Sequence, residues 1–119
     1  MSPSMPQGTF LTFIQTVALS PFEDIEYKKI KQGLEVYKKG LKLGVITSQK
    51  FYLFADKENL DYYTHARSER YSFTKKSGQK VEQDFWEVPA AIIARPKDFG
   101  QWVSDSYQAA IRKARKLGV

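Results

Sequence analysis

Between Gly33 and Pro89, short apolar runs are repeatedly separated by single glycines and polar turns, and this alternation constrains the fold more than any other feature. Leu34 and Val36 repeat every second residue, as do Leu41, Leu43 and Val45, which predicts strands with one face buried. Lys38-Lys39-Gly40 and Thr47-Ser48-Gln49 supply turn residues between them. The run Phe51 to Ala55 is different: Phe51, Leu53 and Ala55 share one face, and Tyr52 and Phe54 make the other apolar as well. A strand of that kind belongs inside a sheet covered on both sides, or nearly so. Tyr71 and Phe73, the loop Lys76-Ser77-Gly78-Gln79, and then Val81, Gln83 and Phe85 predict a further hairpin.

The flanks are helical. Phe10, Leu11, Phe13, Ile14 and Val17 trace one apolar stripe, ended by Ser20-Pro21 because a residue before proline is driven out of the α region. Ile25 and Tyr27 share a strand face while Ile30 is out of phase, so a bulge or break is expected near Lys28-Lys29. Asp56 is placed to cap a short inserted helix, with Glu58 in its first turn and Leu60, Tyr63 and Arg67 on one side. Pro89 is placed to open a short helical turn. After Pro96, the residues Phe99, Trp102, Val103, Ala110, Ile111, Ala114 and Leu117 form a stripe, with Gly118 as its C-cap. The expected fold is α+β: an antiparallel sheet carrying a leading helix, an inserted short helix and a C-terminal helix. Residues 1–8, with two prolines and two serines, are expected to be a disordered lead-in, and residues 9–119 a single domain.

Several function classes are excluded or disfavoured by composition. With 119 residues, 42% of them apolar, one core can form without disulfides or metal. The absence of cysteine removes a disulfide framework, a thiolate zinc site and a thiol nucleophile together. No apolar run approaches the roughly 18 residues that span a bilayer, and a cytoplasmic location is expected with no membrane partner. The one histidine, His65, has no readable nucleophile or orienting partner and reads as an ordinary helix-end residue. Asp56, Glu58 and Asp61 could face one way, but capping explains the first two. The glycines stand singly, so no phosphate-cradling loop is present. A non-enzymatic module with no cofactor is expected.

Charge is the stronger functional signal. The net +6 gathers at Lys28, Lys29 and Lys31, at Lys38, Lys39 and Lys42, and at Arg112, Lys113, Arg115 and Lys116. Such clusters are candidate contacts to a protein partner or to nucleic-acid phosphates. The same lysines would also protect sheet edges, and the last group would complement a helix dipole. No helix-turn-helix spacing is evident. Tyr52 and Trp86 are the aromatic residues most apt to reach a second sheet face, where an uncovered apolar patch would suit a protein partner.

Taken in order, these features resemble the TfoX/Sxy N-terminal domain family. The resemblance runs from about Phe10 to about Ala114. It is carried by Gly33 after Lys28-Lys29-Ile30-Lys31-Gln32, by Gly40, by the FYLFAD run at Phe51 to Asp56, and by Tyr62-Tyr63. Phe73, Gly78, Phe85-Trp86-Glu87-Val88-Pro89 and Trp102-Val103 continue it. The family's Arg-Met-Phe-Gly-Gly-like run is replaced here by Lys29-Ile30-Lys31-Gln32-Gly33, which keeps the positive charge and one glycine. The resemblance implies a competence-type regulator of transcription that acts through a protein partner. That partner would be a transcription factor (in the family, the cyclic-AMP receptor protein is the usual suggestion) or a polymerase component, with DNA contacted weakly or indirectly. The alternatives are a chaperone-like interaction module unrelated to transcription, or direct binding of DNA by the basic patches. The sequence does not specify an oligomeric state.

Overall fold

The computed structural model describes residues 9–118, so the lead-in expected over 1–8 lies outside the described residues. Six strands form one antiparallel sheet: β1 (Ile25–Ile30), β2 (Gly33–Lys38), β3 (Leu41–Thr47), β4 (Phe51–Phe54), β5 (Arg70–Thr74) and β6 (Lys80–Glu87). Helix α1 (Thr9–Phe13) passes directly into a π-helical stretch, Ile14–Ala18, and α2 (Leu60–His65), α3 (Ala90–Ile93) and α4 (Pro96–Lys116) follow. The fold is therefore α+β, with helices at both ends of an antiparallel sheet. The sheet order is β1-β2-β3-β4-β6-β5, so β6 returns beside β4 and leaves β5 at the edge.

Turn chemistry explains the first hairpins. Between β2 and β3, Lys39 and Gly40 both take positive φ, 50° and 81°, the mirror-image turn whose twist matches the flanking strands. Gly33 opens β2 opposite Thr47. A β-carbon there would lie 1.9 Å from the carbonyl oxygen of Ile46, and φ is +157°. Only glycine lets the two backbones approach so closely.

The sheet has two apolar faces. On the first, Val36, Ile46, Phe51 and Leu53 pack against Ile14 and Leu19, Tyr63 of α2, and Phe99, Trp102 and Val103 of α4. On the second, Val45, Tyr52, Phe54, Tyr71 and Phe85 cluster with Ile30, Leu41 and Phe73. All four residues of β4 are buried, as a strand apolar on both sides requires. Among the described residues, the buried cluster on the second face takes Ala109 and Ala110 from a helix. Its rings cover one another instead, with Tyr52 and Tyr71 centred 5.0 Å apart and Phe54 and Phe85 5.6 Å apart.

Several local expectations are corrected. β1 pairs with β2 in unbroken register, with no bulge at Lys28-Lys29; Ile30 is out of phase because it serves the second face. The register shift lies instead between β2 and β3, where Val36 pairs with Gly44 but Tyr37 with Lys42, leaving Leu43 as the extra residue. That bulge sends Leu43 to the first face while Leu41 and Val45 join the second, so the three do not share a side. In the leading helix, the wider π turn bonds Leu19 N–H to Ile14 O at 2.8 Å. It buries Leu19 and leaves Phe13 and Val17 exposed. Asp56 does not cap α2: the helix starts at Leu60 after Asn59, and Arg67 lies beyond its end at φ 56°. Leu117 follows the last residue of α4 and is 68% exposed.

The sheet also divides. β3 and β4 pair over only three rungs, Gly44 with Leu53, Val45 with Tyr52 and Ile46 with Phe51. Where further rungs would lie, Ser106 Oγ of α4 donates to the Leu43 carbonyl at 3.3 Å, and Ala109 and Ala110 are buried. α4 thus leaves the first face through the opening between β3 and β4. The residues at the crossing are small because a larger side chain would hold the helix off the strands. In urea denaturation, Gly33→Ala should destabilise the protein by about 2 kcal/mol or more through the clash with Ile46 and the backbone strain. A loss below ~0.5 kcal/mol would contradict that close approach.

Candidate partner-binding groove

Where α4 emerges beside the second face, it leaves a groove of about 510 Å³ between its C-terminal half, the β2–β3 hairpin and the adjoining parts of β4 and β6. Leu41, Phe54, Phe85 and Ala110 make its floor apolar. Lys42 stands on the hairpin side and Lys113 on the helix side, with Leu117 at the rim. The ammonium of Lys42 lies 4.9 Å from the centre of the Phe85 ring, and that of Lys113 lies 5.2 Å from the centre of the Phe54 ring. Each lysine therefore lays its aliphatic stem on the floor and keeps its charge at the edge.

The charges around the groove are not equivalent. Lys42 pairs with Glu35 at 2.7 Å, and Tyr37 Oη donates to the other Glu35 oxygen at 2.9 Å. Burial opposes ionisation of Glu35, but hydrogen bonds from Lys42 and Tyr37 outweigh it and hold the carboxyl below its ordinary value. Asp84, the acid lining the groove, accepts from Arg70 at 2.6 Å. Lys113, Lys116 and Lys39 have no acidic side chain within ion-pair distance among the described residues. At the groove itself, the unpaired charge among the described residues is therefore Lys113 on the α4 wall, with Lys39 nearby at the hairpin tip.

Behind the groove, α4 is anchored to the turn that precedes α2. The Asp56 carboxylate accepts both arms of the Arg112 guanidinium, at 2.7 and 3.0 Å, and the Glu58 amide at 3.0 Å. The Asp56 amide donates to Asn59 Oδ1 at 2.8 Å, and buried Asn59 Nδ2 donates to Phe54 O at 3.3 Å. The Arg112 fork holds the Asp56 carboxyl below the usual carboxylate range, with burial opposing and the Glu58 amide assisting.

The sequence-selected residues are distributed unevenly over this structure. Lys113 lines the groove and Lys39 stands beside Gly40 at the hairpin tip, whereas Arg115 is exposed outside the lining, Lys116 lines a separate hollow with Asp56 and Glu58, and Lys38 Nζ donates to Glu23 O at 2.7 Å and lies over Tyr107. Arg112 is held by Asp56 and Glu58. On β1, Lys28 pairs in register with Glu35, the partner of Lys42, while Lys29 and Lys31 lie toward the far end of the β1–β2 ladder. Lys28 and Lys29, adjacent on one strand, point to opposite faces. Tyr52 and Trp86 do not form one exposed patch: Tyr52 is buried on the second face, and Trp86 is half-buried with the first-face cluster. They separate because Trp86 pairs with Leu53 and Tyr52 pairs with Glu87, one position out of phase. His65 Nδ1 lies 2.8 Å from Asp61 O at the end of α2. In the sequence the floor residues Leu41, Phe54 and Phe85 read as core, and the signal for them lies in the two apolar faces of Phe51 to Ala55.

The family model for the TfoX N-terminal domain matches residues 17–110. The chain belongs to the TfoX N-terminal domain family. The match starts within the π-helical stretch, takes in the whole sheet and ends at Ala110, where α4 meets the groove. TfoX N-terminal domains are competence-type regulatory domains, a non-enzymatic family. No curated protein matches the chain significantly. Among the described residues of this TfoX N-terminal domain, no helix is long and apolar enough to cross a membrane.

The Asp56–Arg112 bridge has a pH signature. Folded Asp56 releases its proton more readily than an unfolded aspartate, so the bridge adds stability that is present above about pH 4. That stability is lost as the pH falls through the depressed folded value. Arg112→Met should therefore cost about 1 kcal/mol or less at neutral pH, given the partial exposure of both groups. The gap from wild type should close below about pH 4 in acid titrations followed by circular dichroism. A gap that widened towards acid would reverse the assignment.

Proposed function

We propose that this protein is a regulatory module that binds a component of the transcription machinery, a transcription factor or a polymerase subunit, and that it acts through differential binding alone. The observation that carries this reading is the lysine-edged groove with an apolar floor on the face that the helices leave open. Family membership supports the regulatory class. Such a surface joins apolar contact, which contributes affinity, to unpaired charge, which contributes selectivity and steering.

Direct DNA binding is the weaker reading. Of the cations clustered along the sequence, Lys42 and Arg112 are paired, Lys38 is bound to a backbone carbonyl, and the β1 group is split between two sheet faces. The remainder is a small footprint for a backbone-tracking surface, whose affinity scales with the number of phosphates neutralised. Lys28, Lys29 and Lys31 could still steady the module beside DNA already held by a partner. Affinity capture of the tagged chain from its own nuclease-treated lysate, quantified by mass spectrometry, should recover a transcription factor or RNA polymerase. Recovery of only a non-regulatory client, or of abundant acidic proteins in proportion to their abundance, would overturn the transcriptional reading.

A further inference from the structure

We infer that the groove beside α4 takes an acidic segment of a protein partner: one apolar side chain seats between Leu41 and Leu117, over the Phe54 and Phe85 rings, and a flanking carboxylate meets Lys113. This deepens the binding role proposed above and rests on it. Charge complementarity identifies the occupant. Asp84 and Glu35 are both neutralised by their own cations, whereas Lys113, among the described residues, is not, so the groove presents an unpaired positive charge on its α4 wall. A partner aligned with that wall must bring negative charge on that side and has no need of it on the hairpin side, where Lys42 is already satisfied.

The floor specifies the rest. Leu41, Phe54, Phe85 and Ala110 line about 510 Å³ of open groove, within the range of recognition pockets, and Leu117 is 68% exposed beside them. A nucleic-acid backbone would satisfy Lys113 and leave half-buried Leu41 and exposed Leu117 uncovered. A peptide anchor such as Leu, Phe or Trp covers both, above the buried Phe54 and Phe85 rings, and such an anchor is the kind of contact that dominates interface energetics. The stems of Lys42 and Lys113 already lie across the rings, so the anchor would enter between them with little rearrangement of the backbone.

The test uses the full chain, immobilised, and a phage-displayed library of random dodecapeptides. The variants Lys113→Glu and Leu117→Asp change exposed side chains and serve as counter-selection targets, with circular dichroism verifying that each remains folded. Enriched peptides should carry Asp or Glu beside a Leu, Phe or Trp, and their recovery should fall at least tenfold on each variant. Enrichment of neutral or basic peptides, absence of enrichment, or recovery unaffected by both variants would overturn the inference. So would duplex DNA that binds in a Lys113-dependent way while no peptide is enriched. Acidic peptides selected as expected, alongside a lysate capture free of transcription proteins, would uphold the groove's preference and sink only the transcriptional reading.

Discussion

Where β3 and β4 stop pairing, the backbone of the bulged Leu43 needs a donor, and Ser106 of α4 supplies one inside the core. The remainder of the architecture depends on this junction. Because α4 fills the opening, its N-terminal half can seal the first face with Phe99, Trp102 and Val103 while its C-terminal half reaches the second with Ala109 and Ala110. The small residues set how closely the helix approaches, and the bulge sets which way Leu43 points. Arg112 then ties the emerging helix to Asp56, and the asparagine beneath it holds the end of β4. The groove is the space left over when a helix passes between strands without spreading across the second face.

That face shows how a sheet can remain uncovered by helices without presenting a flat apolar surface. Aromatic rings of β4, β5 and β6 bury one another, and lysine stems cover part of what remains. Exposure is thereby confined to a channel with charged edges, which limits indiscriminate association. The Glu35–Lys42–Tyr37 group maintains the hairpin wall, and Lys113 stands on the α4 wall opposite.

Much of the sheet was readable from the sequence because strand alternation and turn residues are local signals. The doubly apolar run Phe51 to Ala55 correctly indicated an interior strand, and Lys39-Gly40 indicated the hairpin. What the sequence did not reveal is non-local. A bulge at Leu43 cannot be distinguished from a continuous alternating strand until Val36 and Tyr37 lie opposite it. Likewise, Ser106 and Ala109 read as unremarkable helix positions until the parted strands meet them. The π turn displaced Phe13 and Val17 by inserting an extra residue into an otherwise ordinary helical stripe. The candidate site followed the same pattern: charge clusters were visible, but ion pairing removed Arg112 and Lys42 from the free set, and strand parity separated Lys28 from Lys29 and Tyr52 from Trp86.

The passage of α4 between β3 and β4 is the claim on which the core, the groove and the charge pattern all rest, and Ala109 is its most direct probe because the side chain is fully buried at the crossing. The decisive measurement is the unfolding free energy of Ala109→Leu in urea. Overpacking at a closed junction should cost about 1–3 kcal/mol. A change within about 0.5 kcal/mol of wild type, the range of an ordinary surface substitution, would mean that the helix does not run between these strands.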